Sequence, residues 1–384
     1  MKKLRVMTIL GTRPEIIRLS RVIARLDRFT DHTIVHTGQN WAYELNEVFF
    51  SDLSIRKPDF FLGAGGGSLG ETLGKILTET ERALLDVAPD AVLILGDTNS
   101  SLAAIMARRL KIPVYHMEAG NRSFDRNVPE ETNRKIVDHI SDFNLVYTEH
   151  ARRHLIAEGL PHKRIYLTGS PMREVLEHYK EQFEGSDCLE RLGLKSKGYF
   201  IVSLHREENV DHSGRLADVV SSLNMLVSHY DMPVIVSTHP RTRKRLDALL
   251  SPSPDSRIHW MEPFGFHDYI SLQMQAFCTI SDSGTITEES AILGFPAVTP
   301  RNAIERPEGL DQGSILMTGL GPDEILSAVE AVTEMRGLPT EEVDETTLPL
   351  DYRIQNTSQR VVSLILSTAR VSNSWDGIRK NDLS

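Results

Sequence analysis

Short apolar runs alternate with amphipathic stretches along nearly the whole chain. Between the first two runs, apolar residues recur at spacings of three and four, as on one face of a helix, at Ile16, Leu19, Val22, Ile23 and Leu26. The runs predict strands in the first half at LRVMTILG, HTIVHTG, DFFLG, AVLILGD, VYHMEA, FNLVYT and RIYLTG. Strands that are apolar on both faces and separated by helices indicate a parallel sheet covered on both sides.

The same alternation restarts in the second half, with predicted strands at YFIVSLH, MPVIVSTHP, RIHWMEP, CTISDSG and PAVTPR. A polar, charged segment, EQFEGSDCLERLGLKSKG, separates the halves by composition. We therefore predict two doubly wound α/β domains that face a cleft, an N-terminal domain over 1–169 and a C-terminal domain over 170–365. The C-terminal helix, placed at about 366–384, is amphipathic enough to pack on either half, including back on the first domain.

Composition narrows the functional classes. Of the 384 residues, 40% are hydrophobic and 25% are charged, which suits two domains with buried cores. The net charge of −10 argues against a nucleic-acid partner. The two cysteines, Cys188 and Cys278, lie far apart, as expected in a reducing cytoplasm. The first apolar run is too short for a secretory signal and no run is long enough to cross a bilayer, so we expect a cytoplasmic protein without a membrane partner.

Polar motifs follow six of the predicted strands. They are GTRPE, GDTNS, HMEAG, HREEN, THPRT and SDSGT. In doubly wound sheets, ligands bind beyond the carboxyl ends of the strands. The six motifs therefore predict a ligand site at those strand ends.

Two of these motifs suit a phosphate group. In SDSGTITEES, a helix begins near Ser283, Gly284 and Thr285, where free backbone N–H groups and the helix dipole favour anions. Glu289 lies about one turn inside that helix, where its carboxylate could accept hydrogen bonds from ribose hydroxyls. Arg13, in GTRPE, can grip a phosphate with its planar guanidinium. An ordinary helix cap at Ser283 and a surface role for Arg13 are the alternatives.

Histidines follow two strands of the second half. His205 and Arg206 stand side by side in SLHREENV and could neutralise a diphosphate, and His239 occupies a similar place in STHPRT. A structural histidine is the alternative at either position. No His/Cys cluster or HExxH pair indicates a metal, and neither a Walker motif nor a GxGxxG turn after the first strand indicates a nucleotide cofactor. We therefore expect neither a metal nor a cofactor.

Three candidate acid/base carboxylates lie in the first half of the sequence. Glu118 ends a strand in HMEAG, Asp97 ends the strand before it, and Glu130 begins a helix four residues ahead of Arg134. An exposed i,i+4 ion pair between Glu130 and Arg134 is the simpler interpretation. Three carboxylates beside an arginine would instead form an acid/base set, because the acids raise one another's pKa while the arginine lowers it.

Taken together, these motifs resemble the non-hydrolysing UDP-N-acetylglucosamine 2-epimerases. The resemblance runs through GTRPE, GDTN, HMEAGNR, PEETNR, TGS, HREEN, SDSGT-x-x-EE and ERPEG, nearly the whole chain. It implies two Rossmann-like domains in a glycosyltransferase-B-type architecture, a UDP-sugar substrate and a homodimer. By similarity, Asp97, Glu118, Glu130, Arg134 and His205 are catalytic, and Arg13, Ser283, Gly284 and Glu289 contact UDP. From their positions at strand ends and at the helix start, we expect Arg206, His239 and Thr285 to contact UDP as well.

The variants HTGQN-x-x-YELNEVFF, HMEAGNRSFD, SDSGTITEES and ERPEG resemble a subfamily, the UDP-N-acetyl-L-fucosamine synthases of capsule and O-antigen biosynthesis. This resemblance implies inversion of C2 in UDP-2-acetamido-2,6-dideoxy-L-talose. Conversion of UDP-GlcNAc to UDP-ManNAc is the alternative. A retaining glycosyltransferase, a hydrolysing epimerase and a nucleotide-sugar sensor without turnover remain more distant alternatives.

Overall fold

The computed structural model describes residues 3–38, 49–204, 213–238, 243, 246, 251–336 and 348–378. The chain forms two compact units, the first from Met1–His178 and Ile354–Ser384 and the second from Tyr179–Arg353. Each unit contains one parallel sheet, as predicted.

The first unit contains a seven-stranded sheet in the order β3-β2-β1-β4-β5-β6-β7, with every neighbouring pair parallel. The break in sequence order between β1 and β4 is the switch point of a doubly wound sheet. The strands are β1 Arg5–Leu10, β2 Asp31–His36, β3 Phe60–Phe61, β4 Ala91–Leu95, β5 Val114–Met117, β6 Phe143–Val146 and β7 Ile165–Leu167.

The predicted apolar stripe on the first helix is buried. Ile16, Leu19, Val22, Ile23 and Leu26 are at most 1% exposed. Helices and 3-10 turns of this unit are α1 Arg13–Phe29, α2 Leu69–Val87, the turn Asn99–Ala103, α3 Ala104–Arg109, α4 Pro129–Ile140, α5 Glu149–Ala157, the turn His162–Arg164, α6 Met172–His178, α14 Thr357–Thr368 and α15 Ser372–Trp375.

The first unit includes segments that the sequence assigned to the second domain. The hydroxyl of Thr357 donates to the carbonyls of Thr168 and Ser170, and the backbone N–H of Ser358 donates to Glu174. These bonds tie α14 to the end of the first sheet and to α6. The units therefore divide at His178 and Ile354 rather than at the predicted 169/170 and 365/366 boundaries.

The second unit contains a six-stranded parallel sheet in the order β10-β9-β8-β11-β12-β13. Its order repeats that of the first sheet, with the switch point between β8 and β11. Its core packs Phe200 and Val202 of β8 against residues such as Val234 and Ile280. The strands are β8 Phe200–Ser203, β9 Val234–Ser237, β10 Ile258–Met261, β11 Cys278–Ser281, β12 Ala297–Pro300 and β13 Leu316–Thr318.

Two short helices precede β8, and the other helices of the second unit follow its strands. The helices are α7 Lys180–Glu184, α8 Cys188–Leu192, α9 Ser213–Tyr230, α10 Phe266–Gln275, α11 Ile286–Leu293, α12 Pro307–Asp311 and α13 Pro322–Arg336, with a 3-10 turn at Leu350–Arg353. Among the described residues, no helix combines the length and apolar character needed to span a bilayer.

Candidate active site

The turn after β1 is held together by a buried acid, Glu15. Its Oε2 accepts hydrogen bonds from the backbone N–H groups of Gly11 and Thr12 at 2.5 and 3.1 Å. Its Oε1 accepts from the hydroxyl of Thr98 at 2.5 Å. Burial raises the pKa of Glu15 to about 7. Because Thr98 directly follows Asp97, Glu15 ties the end of β1 to the end of β4 at the switch point.

Asp97 and Arg134 are brought together, as the sequence predicts. The Oδ2 atom of Asp97 accepts from Nε and Nη2 of Arg134 at 2.8 and 2.7 Å. The same guanidinium donates to Glu131 at 2.9 Å through Nη1. The amide of Asn133 donates to the backbone carbonyl of Asp97 at 2.9 Å. Arg134 is buried, whereas the Asp97 side chain keeps 27% of its surface exposed, so Asp97 is fixed in place and still reachable by a ligand.

Glu118 has a different cationic partner, Arg18 of α1. The two side chains form an ion pair and are 9% and 7% exposed. Asn121 donates to the other carboxylate oxygen of Glu118 at 3.3 Å. Glu118 has a φ of +66°, a left-handed conformation that a residue with a side chain seldom adopts outside functional turns.

The sequence predicted three carboxylates beside one arginine, and the structure shows two of them beside different arginines. Asp97 pairs with Arg134, and Glu118 pairs with Arg18, which the sequence interpretation missed. Glu130 lies in the first turn of α4 and is half-buried. Its catalytic role stays a prediction.

The predicted phosphate turn lies at the switch point of the second sheet. Ser281 Oγ accepts from the backbone N–H of Ser283, and Ser283 Oγ accepts from that of Thr285, at 3.1 and 3.3 Å. Thr285 is the residue before α11. An added Cβ at Gly284 would lie 3.0 Å from Arg306 Nη1. Gly284 therefore leaves space for the guanidinium to reach the helix start.

One buried ion pair and one buried hydrogen bond involve the helix that follows this turn. Arg306 donates to Glu288 at 3.1 Å, and both side chains are at most 6% exposed. Glu289 is 6% exposed and accepts from the amide of Gln273 at 3.0 Å. The sequence analysis selected Glu289 as a site residue but not Arg306. The feature that could have indicated Arg306 is its place in the ERPEG motif.

Of the remaining predicted site residues, the structure describes Arg13 but not the two histidines and the arginine of the second half. Arg13 is half-buried above the ring of Phe49, with its guanidinium carbon 5.4 Å from the ring centre, and burial lowers the pKa of Arg13. His205, Arg206 and His239 lie outside the described residues, so their predicted roles stay predictions. No cluster of three His, Cys, Asp or Glu side chains in the described ranges is arranged to hold a metal ion.

The local chemistry of the two units differs. The first unit has two carboxylates at neighbouring strand ends, each with its own arginine, which suits proton transfer at two positions. The second unit has a hydroxyl-rich helix start with a buried arginine, which suits an anion.

Comparison with known proteins identifies the family. The model of the family described as UDP-N-acetylglucosamine 2-epimerase matches residues 24–366. A UDP-N-acetylglucosamine 2-epimerase of Methanocaldococcus jannaschii is 39% identical over 333 residues, which cover 84% of this chain and 90% of the relative. Sequence similarity therefore extends through both units.

Similarity to solved structures supports the same family. The structure of UDP-N-acetylglucosamine 2-epimerase from Rickettsia bellii matches with a TM-score of 0.88 and 45% identity, covering 98% of this chain and 100% of that chain. The M. jannaschii enzyme in complex with UDP-GlcNAc and UDP matches with a TM-score of 0.86 and 34% identity, covering 95% and 100%. The predicted fold class is thereby confirmed. These relatives are named as UDP-GlcNAc 2-epimerases, so the L-fucosamine subfamily stays a prediction. With a parallel α/β fold in each unit and a family match over most of its length, the chain belongs to the UDP-N-acetylglucosamine 2-epimerase family and is an isomerase.

Proposed function

We propose that this protein interconverts UDP-N-acetylglucosamine and UDP-N-acetylmannosamine by inverting C2. The observation that carries the proposal is the pair of strand-end carboxylates, Asp97 and Glu118, each held by a separate arginine. The relatives support the choice of substrate, since they are named for UDP-GlcNAc and one was solved with UDP-GlcNAc and UDP.

The reaction explains why more than one acid is needed. The C2 hydrogen lies beside an acetamido nitrogen, so direct removal of this proton is very unfavourable. When the C1–O bond breaks, its electron pair leaves with UDP, C1 becomes electron-poor, and the C2 proton becomes acidic. Loss of that proton gives a 2-acetamidoglycal. Protonation of C2 from the opposite face and re-addition of UDP complete the inversion, so two faces of C2 each require a proton-handling group.

Each site residue then has a role in this scheme. Asp97, Glu118 and Glu130 supply the proton-handling groups, and Arg18 and Arg134 hold the first two in position. The departing diphosphate is stabilised by preorganised positive charge and N–H groups. The residues assigned to binding UDP are Arg13, His205, Arg206, His239, Ser283, Gly284, Thr285 and Glu289.

The 6-deoxy-L-talo substrate is a second candidate because of the sequence variants that resemble the L-fucosamine enzymes. One of them, HMEAGNRSFD, includes Glu118 and also Asn121, whose amide lies 3.3 Å from the Glu118 carboxylate. A homodimer is the expected assembly in either case.

One NMR experiment tests the function and both substrates. The purified protein is incubated in D2O with UDP-GlcNAc or with UDP-2-acetamido-2,6-dideoxy-L-talose, without any acceptor. We expect the 2-epimer of UDP-GlcNAc with deuterium at C2. Turnover of the L-talo compound alone would shift the assignment to the L-fucosamine enzyme.

Two controls keep the test specific. The Glu118→Gln variant should still bind UDP but lose epimerisation, and near-normal turnover would remove Glu118 from the mechanism. UDP release only when an acceptor sugar is added would indicate a glycosyltransferase, and accumulation of free sugar with UDP would indicate a hydrolysing epimerase. Either outcome rejects the proposed function.

A further inference from the structure

A fully buried charge network lies behind the strand-end carboxylates of the first unit. Its centre is Asp138 of α4, which has no exposed side-chain surface. The carboxylate accepts from the backbone N–H of Gly120 at 3.3 and 3.2 Å and from Arg122 Nη1 at 2.7 Å. His116 Nδ1 lies 2.9 Å from Asp138 Oδ1. Three neighbouring segments thus converge on one carboxylate.

The network reaches the backbone on both sides of the proposed acids. His116, in β5, directs Nε2 at the carbonyl of Gly96 at 2.8 Å, and since a carbonyl only accepts, Nε2 is the donor. Gly96 directly precedes Asp97. Gly120, which donates to Asp138, follows Glu118 by two residues. One buried cluster therefore contacts the backbone next to both Asp97 and Glu118.

Arg122 anchors this cluster to the next helix. It donates to both carboxylate oxygens of Glu158 at 2.8 and 2.7 Å, and to the carbonyl of Asn121 at 2.7 Å. Asn121 in turn donates to Glu118. Arg122 therefore fixes the chain on the C-terminal side of Glu118.

The turn at residues 118–120 has unusual backbone angles. Glu118 and Gly120 have φ values of +66° and +82°. A Cβ at Gly120 would lie 2.4 Å from the carbonyl oxygen of Ala151, so the chain passes very close to α5. A left-handed residue that carries a side chain persists only where surrounding contacts impose it. The bonds to Asp138 and Arg122 supply such contacts.

We propose that Asp138, together with His116 and Arg122, is a positioning device that sets Asp97 and Glu118 in the geometry that the reaction requires. This inference rests on the proposed function, because it assumes that these two acids handle protons at C2. The three residues are positioning residues, since they contact the backbone of the acid-bearing turns and not the reacting atoms. A displacement of about 1 Å in such groups can lower turnover about 100-fold.

The test compares two buried aspartates at opposite ends of β5. Asp138 lies beyond its carboxyl end. The side chain of Asp142 is also fully buried. It accepts from the N–H of Val114, the first residue of β5, at 2.9 Å and pairs with Arg108 at 2.9 Å. Asp138→Asn and Asp142→Asn each remove one buried charge from an arginine partner. A purely structural role predicts similar kinetics for the two variants.

We expect both variants to lower the melting temperature, but only Asp138→Asn to lower kcat, by about 100-fold, with KM and UDP affinity near the wild-type values. Equal kcat in the two variants would overturn the proposal. An inactive wild-type protein would reject the proposed function and this inference together, whereas an active wild type with undiminished Asp138→Asn turnover would reject only this inference.

A second pair of variants addresses the case in which Asp138→Asn does not fold. His116→Gln keeps an amide donor that can reach the carbonyl of Gly96, whereas His116→Leu fills the space without a donor. We expect His116→Gln to retain much of the wild-type kcat and His116→Leu to lose it, with both folded by circular dichroism. Equal turnover in the two would contradict a positioning role for the bond to Gly96.

Discussion

Replacing Glu15 by glutamine is expected to stabilise the protein above about pH 7 and to leave its stability near pH 4.5 unchanged. Glu15 is 2% exposed, and burial raises its pKa from 4.5 to about 7. Its hydrogen bonds from Thr98, Gly11 and Thr12 oppose this shift, and the nearby charge of Asp97 adds to it. Burial is the largest cause, so the ionised form is disfavoured in the folded protein.

The direction of the stability change follows from the raised pKa of Glu15. Between pH 4.5 and about 7 the folded protein keeps the Glu15 proton that the unfolded chain has lost. The contribution of this group to the free energy of unfolding is therefore complete below pH 4.5 and is lost as pH rises through about 7. At about 1.4 kcal/mol for each tenfold change in the ionisation constant, the loss amounts to about 3 kcal/mol.

Glutamine avoids this loss because it does not ionise. Its carbonyl oxygen can still accept from the N–H groups of Gly11 and Thr12, and its amide can donate to the hydroxyl of Thr98. Urea unfolding followed by circular dichroism from about pH 4.5 to about pH 8 should show Glu15→Gln gaining up to about 3 kcal/mol over wild type at the upper end.

Glu71 provides a matched control. Glu15 is the third residue of α1 and belongs to the capping box of that helix, and Glu71 is the equivalent residue in the capping box of α2. Glu71 accepts from the N–H of Ser68 at 2.7 Å, but its side chain is exposed, and hydrogen bonding to Ser68 lowers its pKa. Glu71→Gln should therefore give no gain at high pH. A Glu15→Gln stability curve that runs parallel to wild type across the whole range would refute the reasoning from burial.

Three further substitutions test the site. Arg18→Met should destabilise the protein by about 3–5 kcal/mol in urea unfolding, because it removes the cation that pairs with the buried Glu118, and adding Glu118→Gln should recover most of that loss. Asp97→Asn should lower kcat about 100-fold or more while calorimetry shows unchanged UDP binding. Gly284→Ala should weaken UDP binding about tenfold by calorimetry, because its Cβ would crowd Arg306, and unaltered affinity would place UDP elsewhere.

The sequence identified the sheets well because their strands are buried on both faces. Each of the twelve predicted apolar runs overlaps a strand. Among the described residues, the strand that was not predicted is Leu316–Thr318, which has a half-exposed, exposed, half-exposed pattern at the edge of the second sheet. An edge strand of this length has no apolar run to recognise.

The site was predicted less completely because ion pairing depends on tertiary contacts. Arg134 bonds to Asp97, which lies 37 residues away in the chain, and to Glu131, whereas the sequence offered only its spacing of four from Glu130. Arg18 and Glu118 are 100 residues apart, so no local pattern joins them. The available signal was an arginine within the buried stripe of α1, where a charge requires a partner.

The strand order explains how one topology provides two kinds of chemistry. In both sheets the strand order reverses between the first and fourth strands, the place where doubly wound sheets usually bind their ligands. In the first sheet, these ends hold the Glu15 turn and Asp97, and the next strand adds Glu118. In the second, the fourth strand leads into the helix start at Ser283. Under the proposed function, proton transfer and anion binding use equivalent points of two similar sheets, and the difference lies in the side chains that follow the strands rather than in the fold.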